Sequence, residues 1–316
     1  MRVLGSFLVG VLLAVVGAGW AAAADGDSGF TIKDPRITES SGLAASRAHP
    51  GIYWTHNDSD DGPYLYAVDS KTGKTVATVT MKGVGRPRDV EAISMGPHDT
   101  LYVGDIGDNL GGKWDHVWIY KLPEPKELKD QTVDATQYDV RYANGPRDAE
   151  ALMVHPVTGR VYIAEKNQDG GSLYAGPAKL STSGMNIFRK TATIDLWVTD
   201  GAFSPDGRHL ALRGYFGGIL YDWKDGGPKR KGRLTVPLQQ QGESVTYTTD
   251  GRTLLYGSEG TNSKVQARGV PGTPDSGSSH GGKDVSELKP DYTKGAMVLV
   301  LALVVIFGGK RVLRRK

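Results

Sequence analysis

Cysteine is absent from all 316 residues of the sequence. Thiol catalysis, disulfide bridges, cysteine-ligated zinc and lipoprotein processing are therefore excluded. Disulfides are needed chiefly by small extracellular domains, so a large domain can leave the cytoplasm without them. Long helical periodicity is almost absent as well, whereas glycine is abundant at 43 residues. This combination favours many short strands joined by tight turns.

The N-terminus contains the three parts of an export signal. Arg2 supplies a positive charge, residues 3–20 are largely apolar, and the small residues Ala22, Ala23 and Ala24 follow. Such a pattern predicts a signal peptide over residues 1–24, with Asp25 as the first residue of the mature chain. An uncleaved N-terminal anchor is the alternative.

A second apolar run covers residues 295–309 and precedes a basic tail, residues 310–316, that contains five cations. The run is shorter than the ~20 residues that fill a typical bilayer core. Lys294 and Lys310 can extend it by snorkelling outward. Because basic residues stay in the cytoplasm, we expect one C-terminal transmembrane helix in the cell membrane, with the tail cytoplasmic and the larger domain extracellular. Residues 271–294, rich in Gly, Ser and Pro, are expected to form a flexible linker.

The net charge of +3 reflects the two ends of the chain. Without Arg2, Lys294 and the five tail cations, 31 basic groups remain against 35 acidic groups, a net charge of −4. A nucleic-acid-binding surface would be basic, so nucleic acid is disfavoured as a partner.

An internal repeat is the most informative pattern in the sequence. The motif Pro-Arg-Asp-Val-Glu-Ala-Ile at residues 87–93 recurs as Pro-Arg-Asp-Ala-Glu-Ala-Leu at residues 146–152, and looser copies begin near residues 39, 199 and 242. Aligning the copies places these residues at one position: Ser41, Glu91, Glu150, Gly201 and Glu243. The repeat of about 50 residues suits a four-stranded blade. The sequence therefore predicts an all-β protein with a β-propeller over residues 25–270, of five blades, or of six if one long unit contains a degenerate blade.

The fifth repeat ends before it can supply an outer strand. Residues 29–37 precede the first repeat and have no partner within it. We expect this N-terminal strand to complete the last blade and close the ring, which removes exposed sheet edges.

Several repeat motifs resemble those of known propeller families. The segment Phe-Ser-Pro-Asp-Gly-Arg-His-Leu-Ala-Leu at residues 203–212 resembles the repeat of TolB-type and WD40-like propellers. The openings Glu-Ser-Ser-Gly-Leu (39–43) and Asp-Val-Glu-Ala-Ile (89–93) are similar to those of the gluconolactonase, NHL, SdiA-regulated and esterase-like phytase groups. The layout of signal, propeller and basic-tailed anchor looks like that of membrane-anchored propeller proteins from actinobacteria. The resemblance covers about residues 30–270 and implies the fold more strongly than a function.

Acidic residues recur on the first strand of the predicted blades, which would line a central channel. Glu91, Glu150 and Glu243 share one position, and Glu39, Asp89 and Asp148 share another two residues earlier. Because side chains alternate along a strand, both sets are expected to converge on the axis. Grouped carboxylates recruit a hard cation such as Ca²⁺, or Mg²⁺ with its waters, or raise one another's pKa. The alternative is that they bond to backbone amides or to Arg88 and Arg147.

A second set of polar residues follows the second strand of four repeats. We predict that it forms a ligand-binding face from the following residues: His56, Asn57, Asp58, Asp105, Asp108, Asn109, Glu165, Asn167 and Glu259. Capping of turns is the alternative role for each of them.

These patterns predict a membrane-anchored, extracellular binding or scaffolding module of the bacterial cell envelope. Its expected partner is an envelope protein or a small ligand. No cofactor is certain from the sequence, and Ca²⁺ is the candidate. The alternative is a metal-dependent hydrolase of a lactone or phosphoester, which the resemblance to gluconolactonase-like and phytase-like propellers implies. In that case Glu91, Glu150 and Glu243 would serve as ligands or bases.

Overall fold

A computed structural model describes residues 29–59 and 61–273 of the chain. Within these ranges every regular element is a β-strand, and no helix long and apolar enough to cross a membrane is found. The expected signal peptide, transmembrane helix and cytoplasmic tail, and the linker beyond residue 273, lie outside the described residues.

Twenty of the strands form five groups of four, here called units 1 to 5, and each unit is an antiparallel meander. Unit 1 contains β2 (Ser40–Ala45), β3 (Ile52–Asn57), β4 (Tyr64–Asp69) and β5 (Lys74–Lys82). Unit 2 contains β6 (Val90–Gly96), β7 (Thr100–Asp105), β8 (Val117–Pro123) and β10 (Thr136–Tyr142). Unit 3 contains β11 (Ala149–Val154), β12 (Val161–Glu165), β13 (Gly171–Ala175) and β14 (Asn186–Ile194). Unit 4 contains β15 (Val198–Phe203), β16 (His209–Gly214), β17 (Gly218–Lys224) and β18 (Gly227–Leu234). Unit 5 contains β19 (Gly242–Tyr247), β20 (Thr253–Ser258), β21 (Lys264–Gly269) and the N-terminal β1 (Phe30–Thr31).

Two parallel strand pairs link neighbouring units at their outer strands. The remaining strand, β9 (Gln131–Asp134), lies between β8 and β10 in the chain but pairs with β5 of unit 1. Strand β10 pairs with β14 of unit 3, so units 2 and 3 share one eight-stranded sheet. The outer strands of units 1 to 3 are therefore joined by backbone hydrogen bonds as well as by side-chain packing.

The first strands of the five units form a closed ring. Strands β2, β6, β11, β15 and β19 contact one another in that order, and β19 contacts β2. Each of the five buried hydrophobic clusters combines residues of two consecutive units. The cluster that joins units 5 and 1 contains Ile32, Tyr66 and Leu255. The hydrophobic core is thus divided into five seams that radiate from the ring.

The N-terminal segment lies in the seam between units 5 and 1. Strand β1 pairs antiparallel with β21, and the Ile32 amide donates to the Ser263 carbonyl over 2.9 Å. The next amide, of Lys33, donates to the Gly73 carbonyl of unit 1 over 2.8 Å. The segment is therefore hydrogen-bonded to the last unit and to the first.

The turns between first and second strands follow from local sequence chemistry. In unit 4 the Asp206 carboxylate accepts bonds from the Ser204 hydroxyl and the Arg208 amide, and Gly207 takes a φ of +71°. In unit 5 Asp250 accepts the equivalent bonds, and Gly251 takes a φ of +73°. Glycine adopts this left-handed conformation without the steric cost that a Cβ would bring. The repeated Asp-Gly-Arg sequence thus specifies the same tight turn in both units.

Candidate functional site

The first strand of every unit is interrupted at the same place. Its pairing with the second strand shifts register between Val90 and Ala92 in unit 2, and corresponding shifts occur in the other four units. The residues at these shifts are Ser41 and Gly42 in unit 1, Glu91 in unit 2, Glu150 in unit 3, Thr199 in unit 4 and Glu243 in unit 5. A β-bulge re-aims a side chain and bends the strand. Glu91, Glu150 and Glu243, which share one position in the repeat, therefore all occupy bulges.

The strand pairing corrects the expected register of unit 4. The repeat alignment placed Gly201 opposite Glu150, but the bulge of β15 is at Thr199, two residues earlier. The Thr199 hydroxyl donates to the Gly242 carbonyl of unit 5 over 3.1 Å. The alignment failed because unit 4 has no acidic residue at the bulge to mark the position.

A second ring position is the residue that follows each second strand. The amides of Asp58, Lys166 and Glu259 donate to the carbonyls of Glu39, Asp148 and Gln241. In unit 2 the equivalent donor is the Gly107 amide, which bonds to the Asp89 carbonyl over 3.2 Å. In unit 4, Tyr215 directly follows the second strand. Sequence reasoning missed Lys166 and Tyr215 because it searched these loops for carboxylates and amides. The shared position after the strand is the signal that would have identified them.

Three acids from units 1 and 2 form a compact cluster. Asp58, Asp89 and Glu91 each present one carboxylate oxygen, and these oxygens lie within 4.8 Å of one another. The Asn109 amide group donates to Asp89 Oδ2 over 3.1 Å, and the Ser41 hydroxyl donates to Glu91 Oε2 over 3.3 Å. Two residues predicted for the channel therefore meet one predicted for the ligand face.

The cluster concentrates negative charge in a buried environment. Burial, followed by the charges of Asp89 and Glu150, raises the pKa of Asp58 to about 10. Burial likewise raises the pKa of Asp89, and it raises the pKa of Glu91 well above its usual range, with Glu150 adding to the effect. Carboxyls in this situation hold protons unless a cation compensates their charge.

The geometry of the cluster fits a hard divalent cation. Asp58 Oδ1 is buried and has no hydrogen-bond partner among the described residues. Gly107 faces the acids, and a Cβ there would lie 2.5 Å from Asp89 Oδ2 and 2.6 Å from Glu91 Oε1. Glycine therefore leaves room beside the acids that any other residue would fill. Oxygen ligands of this type are those that Ca²⁺ and Mg²⁺ prefer.

The acids of units 3 and 5 have partners of their own. Lys166 Nζ forms a buried ion pair with Glu150. Burial alone would lower the pKa of Lys166, but Glu150, Tyr215 and Glu91 raise it well above its usual range. Glu243 is hydrogen-bonded by the Tyr215 side chain. The positive charge of Lys166 therefore compensates carboxylate charge in this half of the channel.

A further buried pair, absent from the sequence predictions, ties unit 4 to unit 5. Asp200 Oδ2 accepts from the Val245 amide over 2.7 Å. Arg213, which has no exposed surface, donates to the carbonyls of Ser244 (3.1 Å) and Gly257 (3.0 Å). The partners in these bonds are backbone groups of β19 and β20. Asp200 and Arg213 therefore hold unit 4 to unit 5.

In unit 1, two of the residues predicted for the ligand face are buried within the fold. His56 Nδ1 lies 3.1 Å from the Asn57 carbonyl, and burial lowers the pKa of His56 to about 4. Asn57 Oδ1 accepts from the amides of Thr38 and Glu39, and its Nδ2 donates to the Arg36 carbonyl. The Asn57 side chain therefore fixes the N-terminal segment, while its neighbour Asp58 joins the acidic cluster.

In unit 2, the predicted face residues support the loop that carries Asp89. Asp105 accepts from the amides of Arg88 and Asp89 (3.0 Å each) and from the Tyr120 hydroxyl. Asp108 Oδ2 accepts from the Trp114 amide, and the Asp108 amide donates to Asp148 Oδ1. These bonds hold the backbone on both sides of the cluster.

The remaining predicted residues are separate from the acidic cluster. Glu165 pairs with Arg147 over 3.1 Å, Asn167 accepts from the Asp169 amide in a turn, and Glu259 accepts from the Gln241 side chain. Glu39 is half-buried and is not part of the three-acid cluster.

The sequence left open that Arg88 and Arg147 form ion pairs with the channel acids. No such ion pair occurs among the described residues. Arg88 stacks on Trp118 and Trp114, with its guanidinium carbon 3.6 and 4.1 Å from the ring centroids. Arg147 forms an ion pair with Glu165, and its guanidinium group lies over the rings of Tyr174 and Tyr142. Lys166, rather than either arginine, compensates a channel glutamate.

A closed ring of first strands with a meander leading away from each is the architecture of a β-propeller, the fold class that the repeat predicted. No protein-family model matches the sequence, and no curated protein matches it.

Solved structures similar to this chain include other propellers, each at low sequence identity. The aldose sugar dehydrogenase of Streptomyces coelicolor, in its PQQ-bound form, is 13% identical over 76% of this chain and 98% of its own, with a TM-score of 0.43. A candidate 6-phosphogluconolactonase from Bacteroides uniformis is 13% identical over 76% of this chain and 69% of its own, with a TM-score of 0.41. The RRP9 WD40 repeats are 12% identical over 72% and 67%, with a TM-score of 0.38.

Proposed function

We propose that the protein is an extracellular, membrane-anchored binding module of the cell envelope, built as a five-bladed propeller that holds a divalent cation such as Ca²⁺ in its channel. The observation that carries the cation site is the cluster of Asp58, Asp89 and Glu91, with carboxylate oxygens within 4.8 Å of one another. The cyclic order of the first strands supports five blades, one for each unit. The apolar run and basic tail of the sequence support the anchor.

The cation would act as a link between two blades. Asp58 belongs to the loop after β3 of unit 1, whereas Asp89 and Glu91 belong to the start of β6 in unit 2. An ion bound to all three residues would replace carboxylate repulsion with attraction across the seam. It would also displace the proton that the raised pKa places on Asp58, so its affinity should increase with pH.

Thermal unfolding in the presence of cations tests the proposal. The fragment 25–290 contains every described strand and hydrophobic cluster, so it retains the contacts on which the site depends. Saturating Ca²⁺ should raise its melting temperature, because a ligand at a hundredfold excess over Kd stabilises the native state by about 2.7 kcal/mol.

Two variants and a control complete this experiment. Asp58→Asn and Glu91→Gln should abolish the Ca²⁺-dependent shift. Glu127→Gln, which changes an exposed acid paired with Lys129, should leave it intact. No shift with Ca²⁺, Mg²⁺ or Mn²⁺ in the unchanged fragment would refute the cation site.

A metal-dependent hydrolase is the second candidate function, and Lys166 is the observation that favours it. Its ammonium group lies close enough to Glu91 to affect the pKa of that carboxyl, so a positive charge accompanies the acidic cluster. An anionic substrate group would need such a charge beside the metal. Turnover of a lactone or phosphomonoester by the Ca²⁺-loaded fragment, lost in a folded Glu91→Ala variant, would favour this function over binding alone.

A further inference from the structure

A second candidate site lies at the opposite end of the first strands from the acids. A cavity of about 330 Å³ is lined by residues of all five units, among them Leu43, Ser94, Val154, Phe203 and Thr246. Ile93, also in the lining, follows Glu91 by two residues, a distance of about 7 Å along a strand, and none of the three clustered acids lines the cavity. The cavity is therefore separate from the acidic cluster, and its volume is in the range of small-molecule sites.

One wall of the cavity is aromatic and firmly packed. The Phe203 ring lies 4.8 Å from Trp223, 5.0 Å from His155 and 5.7 Å from Tyr162, measured between ring centroids. These edge-to-face contacts hold Phe203 in one orientation. Ile93, Met95 and Val154 line the cavity as well. A flat hydrocarbon group would find a preformed apolar surface here.

Hydroxyl groups line other parts of the cavity. The Ser94 oxygen accepts from the Val154 amide over 3.1 Å, which leaves its own proton free to donate.

A single cationic side chain, that of Arg47, is present in the lining. Arg47 Nη1 donates to the Gly96 carbonyl over 3.3 Å. A guanidinium carries five N–H donors, so most of them stay available after one bond to the backbone. Such a fork matches a carboxylate well.

We propose that this cavity binds a small ring-containing monocarboxylate that carries a hydroxyl group. The ring would contact Phe203 and Val154, the carboxylate would pair with Arg47, and the hydroxyl would bond to Ser94. This site is independent of the cation and lies at the other end of the channel.

Calorimetric titration of the fragment 25–290 with 4-hydroxybenzoate tests the proposal. We expect saturable binding, and weaker binding of the neutral analogue 4-hydroxybenzyl alcohol. Arg47→Gln should reduce the affinity for the acid by about tenfold, whereas Arg47→Lys should retain part of it. Phe203→Leu should weaken both compounds.

The controls separate loss of binding from loss of structure. Glu127→Gln, which changes an exposed acid outside the cavity lining, should bind 4-hydroxybenzoate as the unchanged fragment does. Arg47 is exposed, so its variants should keep the melting temperature of the unchanged fragment. Absence of saturable binding, or equal affinity of the Arg47→Gln variant, would overturn the proposal whether or not Ca²⁺ binds.

Discussion

At the scale of single residues, the channel places a lysine among carboxylates. Lys166 pairs with Glu150, whose side chain is 2% exposed, while the Lys166 side chain is 21% exposed. Removing one partner leaves an uncompensated charge in a medium of low dielectric constant. We expect Lys166→Met to lower the free energy of unfolding by about 3–5 kcal/mol, measured by urea denaturation. The double variant Lys166→Met/Glu150→Gln should recover most of the loss, because neither member of the pair remains charged. A double variant as unstable as the single one would contradict this account.

Asp200 gives a prediction about pH. Burial raises its pKa well above its usual range, although the amides of Val245 and Gly201 oppose the shift. A carboxyl whose pKa is raised on folding favours the native state below its unfolded pKa, and that contribution is lost as pH rises. Between about pH 5 and about pH 8, the melting temperature of Asp200→Asn, which does not ionise at this position, should therefore fall less than that of the unchanged protein.

A matched control for this experiment is Asp225→Asn. Asp225 is exposed and has a φ of 54°, a conformation that asparagine tolerates well. The melting temperature of the Asp225→Asn variant should follow that of the unchanged protein at every pH. A constant difference between Asp200→Asn and the unchanged protein across the pH range would show that Asp200 does not titrate as described.

The sequence predicted part of the site at this scale. Glu91 and Glu150 were aligned correctly because the surrounding motif repeats almost unchanged, and Asp89 was expected near them. Asp58 was assigned to a different set, since its partners come from the next unit and only the packing of units 1 and 2 brings them together. No sequence motif marked Lys166 as a site residue. Its pairing with Glu150 depends on the bulge in the first strand, which the sequence does not predict.

At the scale of elements, the N-terminal segment shows how a short strand can hold a seam. Only Phe30 and Thr31 pair as a strand, but Ile32 and Ile37 are almost fully buried between units 5 and 1. We expect Ile32→Ala to destabilise the protein by about 2–5 kcal/mol in urea denaturation, since it leaves a cavity in a packed cluster. Leu238→Ala, which changes a side chain that is 87% exposed, is the control and should change stability by less than about 0.5 kcal/mol. Equal stability of the two variants would show that the segment does not hold the seam.

Most strands could be anticipated, but two of the pairings could not. The repeat of about 50 residues predicted units of four strands, in which hairpin partners are neighbours in sequence. The parallel pairs of β9 with β5 and of β10 with β14 join segments about 50 residues apart. Such pairing depends on how neighbouring units pack, for which the outer strands carry no local signal.

At the scale of the whole molecule, the closed ring determines how the protein unfolds. In an open repeat array each unit contacts only its neighbours, and an end unit can unfold alone. Here unit 5 contacts unit 4 through one seam and unit 1 through another, and the N-terminal segment reinforces the second. No unit is therefore an end, and we expect a single unfolding transition.

The distribution of tryptophan makes this expectation testable. Trp54, Trp118 and Trp223 report on units 1, 2 and 4, whereas unit 5 contains no tryptophan, so its separate unfolding would appear in circular dichroism but not in fluorescence. The two signals should give the same urea midpoint in the unchanged fragment 25–290. In the Ile32→Ala variant, which weakens the seam beside unit 5, both midpoints should fall together. A circular dichroism transition that precedes the fluorescence transition in this variant would mean that unit 5 unfolds as an end and that the ring is not closed as a cooperative unit.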